Sequence, residues 1–579
     1  MRVLSSLLLV FLMAACASTQ RATERSEWTK GAMVAAADPR AVEAGLEVLR
    51  RGGHAVDAAI AVHAVLGLVE PQSSGLGGGA FMVVYERATG EITVFDGRET
   101  APMAAGPDLF LRPDGEPMDF VSAWQSGLSV GVPGQVALYH AGHERFGQVA
   151  WESLFDDAIS LAEEGFVVSP RLADLLANER LRQFMRLDDE DQPAALYFYP
   201  GGEPLKAGDR RSNLAYGRTL RAVASDGPAA FYEGPLAAAM VRAAEAGEDG
   251  GALSFADLAS YEVIERDALC GPFRTYRICS APPPSSGGVT QVAILGLYDR
   301  LLSSADQSGE ETVLISWVEA QRLAYADRDH YVADPDFVTV PAADLIDPAY
   351  LDVRAGEAGP RDATPLPGDP GAVLRGEPMI GLWGSDLISP GSGTTHISVI
   401  DSEGNAVAMT ATVESAFGSS RWVTEGGFVL NNELTDFARQ PEVGAKPVAN
   451  APAAGKRPRS SMSPTLVFDE TDELFMVTGS PGGNSIVAYV SKTLVGVLDW
   501  GRSAQEAVEL PNVIARGKSV GVETSTPGGA EVAEILTAAG FEVNERSGEN
   551  SGLHVIVVRE DGLEGGADPR REGVALALE

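Results

Sequence analysis

The chain has few of the residues that hold metal ions and few that attract polyanions. Its 579 residues include only seven histidines and three cysteines, and these do not follow the spacing of a metal site. The glycine-rich stretch 71–79 lacks the lysine of a phosphate-binding loop. The 44 lysines and arginines are outnumbered by 81 aspartates and glutamates, for a formal net charge of −37. The sequence therefore implies no metal and no cofactor, and the charge argues against nucleic acid or an anionic membrane as partner.

Long apolar runs are rare as well. Residues 1–16 combine Arg2, a short apolar run at 7–13 and two alanines, which is typical of a secretory signal and too short to span a membrane. Cys16 follows directly, where a bacterial lipoprotein carries its lipid, although Met13 replaces the usual leucine. A plain signal peptide with an incidental cysteine is the alternative. We expect an exported, periplasmic or envelope-anchored protein that contacts the membrane only through a lipid anchor, with 17–28 as a polar tether.

The other two cysteines lie in one predicted hairpin. A two-residue turn at 274–275 places Cys270 opposite Cys279, at a non-hydrogen-bonded position where strand backbones approach most closely. An exported protein meets an oxidising compartment, which favours a disulfide. Two buried thiols are the alternative.

The most informative stretch is 394–418, which reads TTHISVIDSEGNAVAMTATVESAFG. Its pattern predicts a strand, a turn at 401–405 and a second strand, which brings Thr412 opposite Thr394 or Thr395. A hydroxyl nucleophile needs a base, and the simplest base for a threonine is its own α-amine, whose unperturbed pKa is roughly 7.7–8.0. That amine exists only if the bond between Gly393 and Thr394 is cut. The hypothesis is a precursor that cleaves itself; an ordinary hairpin of strand-forming threonines is the alternative.

The rest of the chain alternates helices and strands without internal repeats, which by itself indicates only a mixed α and β class. A helix is predicted to start at Asp38-Pro39, and a second, almost wholly apolar and therefore buried helix covers 55–68. Further predicted elements are strands at 474–478 and 553–559 and a helix at 528–539. Segments rich in proline and glycine at 362–392 and 440–455 are predicted to be mobile loops, and the first of them immediately precedes the cut site.

Ten blocks occur in the order that the gamma-glutamyltransferase (glutathione hydrolase) family carries them, from about residue 31 to the C-terminus. They are GGHAVDAAIAV, EPQSSGLGGGAFMVVY, DGRETAP, LSVGVPG, PPPSSGG, the 394–418 stretch, LNNELTDF, KRPRSSMSPT, TGSPGG and GADPRREG. The chain thus resembles this family. The resemblance implies an α+β N-terminal-nucleophile hydrolase, an αββα sandwich built from two subunits cut from one precursor. The large subunit (17–393) and the small subunit (394–579) would remain together as a heterodimer.

The resemblance also implies the catalytic roles. In the precursor, the Thr394 hydroxyl attacks the Gly393 carbonyl; in the mature enzyme, it attacks a γ-glutamyl amide while its amine moves the proton. Thr412 orients that hydroxyl. Backbone N–H groups of Gly482 and Gly483 stabilise the developing oxyanion, although a glycine pair after a proline is also simply a tight turn.

The implied donor pocket holds both charges of a glutamyl head group. Arg98 matches the family's ligand for the α-carboxylate, where a planar guanidinium binds in two-point fashion. Asp436 matches the acid that binds the α-ammonium. Four neighbouring positions complete the match: Ser460 and Ser461, which share the carboxylate, and Glu414 and Glu433, where the family has Glu, Gln or Asn. His396 lies two residues from the nucleophile, but we predict a structural, hydrogen-bonded role for it.

Three functions remain in competition. The first is a γ-glutamyl hydrolase or transferase that passes the glutamyl group of glutathione or a related donor to water, an amino acid or a dipeptide. The second is an acylase of the same fold for glutaryl-type amides, which is kept open because 439–455 contains no aromatic residue to cover the pocket. The third is a non-catalytic, lipid-anchored binding protein.

Overall fold

The computed structural model describes residues 28–185, 192–247, 249–305, 308–384, 386, 393–548 and 550–578. The predicted signal segment with Cys16 and most of the predicted tether lie outside the described residues. Within these ranges, every helix is too short or too polar to cross a lipid bilayer.

The strands pair into two large antiparallel sheets and several small ones. In chain order they are β1 (Met33–Ala36), β2 (Gly79–Glu86), β3 (Glu91–Gly97), β4 (Phe166–Val167), β5 (Arg210–Arg211), β6 (Ile264–Asp267), β7 (Leu269–Phe273), β8 (Tyr276–Ser280), β9 (Gly393–Ile400), β10 (Ala406–Glu414), β11 (Trp422–Val423), β12 (Phe428–Val429), β13 (Glu442–Val443), β14 (Lys446–Pro447), β15 (Thr465–Phe468), β16 (Leu474–Gly479), β17 (Val513–Ala515), β18 (Ser519–Glu523), β19 (Glu542–Arg546), β20 (His554–Arg559), β21 (Gly562–Ala567) and β22 (Val574–Ala577).

Helices surround these sheets. In chain order they are α1 (Pro39–Arg50), α2 (Ala55–Val69), α3 (Phe120–Gln125), α4 (Gln135–Phe146), α5 (Asp156–Glu164), α6 (Pro170–Ala177), α7 (Glu179–Met185), α8 (Pro193–Phe198), α9 (Leu214–Asp226), α10 (Ala229–Tyr232), α11 (Gly234–Glu245), α12 (Phe255–Ala259), α13 (Gly287–Ser303), α14 (Glu310–Tyr331), α15 (Ala342–Leu345), α16 (Pro348–Ala355), α17 (Pro370–Arg375), α18 (Ile486–Leu498), α19 (Ala504–Glu509) and α20 (Gly529–Ala538).

The two large sheets form the centre of the molecule. The first has the strand order β22-β1-β9-β10-β2-β3-β6 and the second has β21-β20-β16-β15-β8-β7, and β9 and β10 of the first pack against β16 and β20 of the second. Helices α1, α2 and α4 cover the outer face of the first sheet, while α13 and α18 cover the second. The order of layers is therefore helix, sheet, sheet, helix, and the predicted αββα sandwich of the α+β class is confirmed.

Alternating side chains on β9 and β10 explain why both strands are buried on both faces. Ile397 and Val399 belong to the apolar core that includes α2. Ile400 belongs to a second apolar core, which includes residues of both large sheets. Since successive side chains of a strand point to opposite faces, Thr394 and His396 share the face of Ile400 toward the second sheet. The nucleophile candidate thus lies at the end of a central strand, between the sheets.

Most elements predicted from the sequence are present. Helix α1 begins after Asp38, whose side chain accepts a hydrogen bond from the Arg40 N–H, and α2 is buried along its whole length, as predicted. The β7–β8 register places Cys270 opposite Cys279, and the structure joins the two in a disulfide. The two segments predicted as mobile loops contain regular structure, namely helix α17 and the β13–β14 hairpin, which the sequence pattern does not predict.

The glycine-rich entry to β2 offers a test of this packing. A Cβ atom at Gly78 would lie 1.9 Å from the Thr412 carbonyl oxygen, whereas one at Gly75 would meet nothing closer than 3.8 Å. Because the obstacle at Gly78 is strand backbone, Gly78→Ala is expected to lower the free energy of unfolding by about 3 kcal/mol and to lower activity. Gly75→Ala is the matched control and should stay within about 1 kcal/mol. Urea denaturation of both variants checks this, and equal midpoints would contradict the close approach.

Candidate active site

The hairpin of β9 and β10 places two threonine hydroxyls side by side. Thr412 pairs with Thr394 across the strands, which resolves the register left open between Thr394 and Thr395. The two Oγ1 atoms are 3.1 Å apart. Thr412 Oγ1 is also 2.8 Å from the Gly393 carbonyl oxygen and accepts a hydrogen bond from the Glu414 N–H at 2.8 Å.

The direction of these hydrogen bonds follows from the number of protons and lone pairs that a hydroxyl has. A hydroxyl has one proton to donate and two lone pairs to accept. Since a carbonyl only accepts, Thr412 must donate its proton to Gly393, and the Thr394 hydroxyl then donates to Thr412. The Gly393 carbonyl, which belongs to the predicted cleavage bond, is thereby polarised. The same contact fixes the Thr394 hydroxyl next to that carbonyl.

A bulge at the end of β10 turns the next side chain into the site. The register shifts between Thr412 and Glu414, and Glu414 has a φ of +75°, which is strained for a residue with a Cβ atom. Its carboxylate accepts hydrogen bonds from Ser415 and Asn432. Bulges commonly re-aim a side chain at a functional site, and here the bulge turns Glu414 into the pocket wall.

His396 has a structural environment, as predicted. Its Nδ1 lies 2.8 Å from the Thr410 hydroxyl and its Nε2 lies 3.1 Å from the Ser398 hydroxyl. Complete burial and the neighbouring His554 lower the pKa of His396 well below its usual value, so the ring is neutral. Both ring nitrogens point to other hydroxyls, and the ring therefore does not serve as base for Thr394.

The predicted oxyanion loop lies between β16 and α18. Gly482 and Gly483 have φ values of +131° and +58°, which L side chains rarely adopt. A Cβ atom at Gly482 would also lie 2.4 Å from Cε2 of Tyr489. Gly483 lines the same pocket as Thr394. Glycine is thus required in this turn by backbone geometry.

The predicted donor-binding residues come together in one pocket beside the nucleophile. Its cavity is about 20 Å³, roughly enough for one water molecule. Among the residues that line it are Arg98, Thr394, Thr412, Glu414, Glu433, Asp436, Ser460, Ser461 and Gly483. Of the predicted catalytic and donor-pocket residues, only Gly482 is absent from this lining.

Arg98 is the centre of the pocket's charge. It is 1% exposed and forms ion pairs with Glu433 and Asp436 through its two terminal nitrogens. Its Nε donates to the Pro458 carbonyl at 3.2 Å, and one terminal nitrogen also donates to the Arg459 carbonyl at 2.9 Å. Two carboxylates and two carbonyls thus hold the guanidinium in one orientation.

Carboxyl groups outnumber cations around Arg98. Burial raises the pKa of Glu99 to about 8, and it also raises the pKa of Glu433 well above its usual value and that of Asp436. Arg98 opposes each of these shifts, because a nearby positive charge favours the ionised carboxylate. The cluster therefore holds at least one proton at neutral pH, and its charge balance is sensitive to any ligand that adds or removes a charge.

Glu99 and Arg328 were missed by the sequence reasoning. Arg328, on α14, donates to the hydroxyls of Ser286 and Ser461 and to the Asn484 side chain at 3.1 Å, so it links Ser461 to the oxyanion loop. Glu99 stood next to Arg98 inside a matched block, a signal that could have been used. Arg328 pairs with its neighbour Asp329 at 2.7 Å, but its partners in the site are more than forty residues away in the chain, so the sequence gave no signal for this role.

Metal binding has no support from the described part of the chain, where no group of three or more histidines, cysteines or acidic residues could hold an ion. The site itself offers a hydroxyl, a potential α-amine and backbone or side-chain donors. Acyl transfer through a hydroxyl nucleophile fits this set.

Comparison with known proteins agrees with this arrangement. The family model described as gamma-glutamyltranspeptidase matches residues 41–578. The chain is 34% identical over 555 residues to the glutathione hydrolase proenzyme of Escherichia coli, which covers 93% of this chain and 90% of that protein. It is 32% identical over 556 residues to the acylase ACY 1 proenzyme of a Pseudomonas species, which covers 94% and 93%. The crystal structure of cephalosporin acylase from Bacillus halodurans superposes with a TM-score of 0.81 at 26% identity, over 98% of this chain and 100% of that one.

An αββα sandwich with a threonine hydroxyl at the end of a central strand defines the class of N-terminal-nucleophile hydrolases. Within that class, the chain belongs to the gamma-glutamyltranspeptidase family. Relatives named as glutathione hydrolases and as acylases lie at similar identity, so membership of the family leaves the substrate to be argued from the site.

Proposed function

We propose that the protein is a self-cleaving γ-glutamyl hydrolase or transferase that acts on glutathione and related donors through an acyl-enzyme on Thr394. The observation that carries this proposal is the ion-pair cluster of Arg98 with Glu433 and Asp436 in the wall of the nucleophile's pocket. The cluster has a cationic part, Arg98, and an anionic part, Glu433 and Asp436. A zwitterionic head group needs both, one for its carboxylate and one for its ammonium.

Exchange of charges explains the preference for a glutamyl donor. The α-carboxylate of the donor would bind Arg98 and the hydroxyls of Ser460 and Ser461, while its α-ammonium would take over Asp436 and Glu433. Each charge released from the internal ion pair then finds a new partner. Burying an unpaired charge is costly, and this exchange leaves none unpaired.

A glutaryl donor lacks the ammonium and would add a further carboxylate to the cluster. Arg98 would then pair with the donor's carboxylate, and Asp436 and Glu433 would be left without a cation. One of these two carboxyl groups would have to bind an additional proton. Since burial already raises the pKa of Glu433 and Asp436, this proton is available at acidic pH and becomes scarce as the pH rises. The pocket therefore disfavours glutaryl amides at neutral pH.

Cleavage of the precursor follows from the same contacts. The Thr394 hydroxyl, held beside the Gly393 carbonyl by Thr412, attacks that carbonyl and moves the peptide bond onto oxygen as an ester. The C–N bond breaks in this shift and the hydroxyl proton passes to the nitrogen, so the amine of Thr394 is released as the ester forms. Water then hydrolyses the ester, which frees the Thr394 hydroxyl and leaves a carboxylate on Gly393. The products are the proposed large subunit, residues 17–393, and the small subunit, residues 394–579.

The mature enzyme reuses these groups on its substrate. The amine of Thr394 removes the hydroxyl proton while the oxygen attacks the γ-glutamyl carbonyl, and the amine then protonates the leaving amine. Backbone N–H groups of Gly482 and Gly483 are proposed to stabilise the oxyanion. Water, an amino acid or a dipeptide finally accepts the glutamyl group from the acyl-enzyme.

An acylase for glutaryl-type amides is the second candidate. It is favoured by the named acylases among the relatives and by the absence of an aromatic residue in 439–455. The non-catalytic binding protein is disfavoured, because the hydroxyl pair, the cleavage carbonyl and the charged pocket are all assembled.

We also propose that residues 1–16 export the protein and that Cys16 carries a lipid, so that the enzyme works in the periplasm or at the envelope. The cross-strand disulfide supports an oxidising compartment. Metabolic labelling with a radioactive fatty acid would check this, with Cys16→Ser as the control that should lose the label.

Turnover of matched anilides tests the substrate. We expect γ-glutamyl anilide to be hydrolysed with a kcat/KM at least about 100-fold above that of glutaryl anilide at pH 8, because only the former supplies an ammonium for Asp436. Glycylglycine should accelerate the reaction if transfer competes with hydrolysis. Equal rates for the two anilides, or a faster glutaryl reaction, would favour the acylase.

A further inference from the structure

Arg571 contacts the nucleophile residue through its backbone carbonyl and is not among the residues that line the donor pocket. It lies between β21 and β22 and is 7% exposed. Its Nη1 donates to the Thr394 carbonyl oxygen at 2.9 Å, and its Nη2 donates to the Asn550 carbonyl oxygen at 3.1 Å. The guanidinium thus rests directly on the backbone of the residue whose amine would become the catalytic base.

No carboxylate in the described part of the chain forms an ion pair with Arg571, and its two hydrogen bonds go to the carbonyls of Thr394 and Asn550. Its neighbour Arg570 is ordinary by comparison, because it pairs with Glu523 at 2.7 Å and with Asp568 at 3.0 Å. A buried cation without an acidic partner is unfavourable for stability. Perturbed groups of this kind cluster at functional sites, and the contact with Thr394 gives this one a specific target.

Close packing holds the Arg571 side chain in place. A Cβ atom at Gly552 would lie 2.5 Å from both Cδ and Nε of Arg571 and 2.8 Å from Cγ of Pro481. Gly552 therefore fills the narrow gap between Arg571 and the oxyanion loop. The position of the guanidinium is fixed by the same backbone that shapes the catalytic turn.

Other charges around Thr394 are balanced or neutral. His396 and His554, from β9 and β20, have pKa values far below the usual value because of burial, His554 at about 3. Behind Arg571, Arg171 is paired with Glu70 at 3.0 Å. Further charged or titratable groups among the described residues are Asp568 and Tyr489 near Arg571 and, in the donor pocket, Arg98 with the carboxyl groups Glu414, Glu433 and Asp436.

We propose that Arg571 is a positioning residue for the nucleophile, which fixes the Thr394 carbonyl and keeps the amine released by cleavage in its neutral, base-competent form. The inference rests on the proposed function, since the amine exists only after the cut. The amine and carbonyl of one residue are close, so the charge lies within about 7 Å of the amine. A positive charge at that distance disfavours an ammonium.

The positive charge of Arg571 lowers the pKa of the Thr394 amine. A free α-amine with a pKa of roughly 8 is mostly protonated at pH 7 and cannot act as a base. Burial and Arg171 lower the pKa of Arg571 to about 9, which leaves the guanidinium charged at neutral pH. Its field lowers the pKa of the amine, so the neutral base is available at a pH where an ordinary N-terminus would be protonated.

The pH dependence of kcat/KM for γ-glutamyl anilide tests the role of the charge. Arg571→Gln keeps a hydrogen-bond donor and removes the charge, and we expect its acidic limb to move up by about one pH unit, with about tenfold lower kcat/KM below that limb. Arg571→Lys keeps the charge and should stay close to the native profile. Arg559→Gln, which removes a partly exposed arginine of β20 that pairs with Glu564, is the control and should leave the profile unchanged.

Intact mass shows whether each chain is cleaved, and a sulfonyl fluoride probes Thr394 independently of the donor. A cleaved Arg571→Gln enzyme with the native acidic limb would overturn the inference, and so would an uncut Arg571→Gln chain, because the arginine would then act before the amine exists. If the wild type is cut but ignores γ-glutamyl anilide, the proposed function fails. The inference is then tested by the pH dependence of Thr394 sulfonylation by a small sulfonyl fluoride, with the same shift expected. An uncut wild-type chain would overturn both.

Discussion

Thr394→Ala is expected to give one uncut chain with no measurable γ-glutamyl turnover, a loss of at least about 10⁴-fold. The variant lacks the hydroxyl that attacks the Gly393 carbonyl, so the ester cannot form and the amine is never released. Both the nucleophile and its base are lost in one substitution. Intact mass and an anilide assay measure the two effects separately.

Thr395→Ala is the matched control for that experiment. Its side chain points to the opposite face of β9, and its buried Oγ1 has no hydrogen-bond partner among the described residues. Removing it should leave cleavage at Thr394 and turnover within a few-fold of the native values. A cut Thr394→Ala chain would contradict self-processing by Thr394, and an uncut Thr395→Ala chain would show that the hairpin register, not one hydroxyl, controls cleavage.

Local parts of this site were readable from the sequence. Strand pairing depends on a short turn and on period-two alternation, so the β9–β10 hairpin, its Thr412 partner and the β7–β8 register followed from neighbouring residues. The sandwich as a whole did not follow from periodicity, which indicated only mixed α and β structure. It followed from the order of ten sequence blocks that resemble one family.

Long-range electrostatics were not readable in the same way. The pairing of Arg98 with Glu433 and Asp436 spans 335 and 338 positions, and no local pattern encodes such a contact. Arg571 escaped notice for a related reason, since the sequence shows two adjacent arginines and only the fold separates the paired one from the unpaired one. Helix α17 packs against α15 and α16, and composition alone did not indicate these contacts; the β13–β14 hairpin is exposed.

Arg98→Met is expected to destabilise the protein more at pH 8 than at pH 5. Without the guanidinium, Glu99, Glu433 and Asp436 would be buried with no cation between them, and we expect about 3–5 kcal/mol of destabilisation at pH 8. Their pKa values, already raised in the fold, would rise further. A carboxyl whose pKa is raised by folding contributes stability below its unfolded pKa and loses it as the pH rises through its folded pKa. Urea denaturation at pH 5 and pH 8 should therefore show a smaller defect at pH 5.

Arg98→Lys keeps one charge in the pocket and is the partner variant for activity. A lysine cannot reproduce the two-point contact of a guanidinium with a carboxylate, so the donor KM should rise by about 10-fold to 100-fold while kcat changes less. Cleavage at Thr394 should proceed, because the hydroxyl pair and the Gly393 carbonyl do not contact Arg98. Unchanged donor KM in a fully cleaved Arg98→Lys enzyme would reject the carboxylate-binding role, whereas loss of cleavage would show that the ion-pair cluster also shapes the hairpin end.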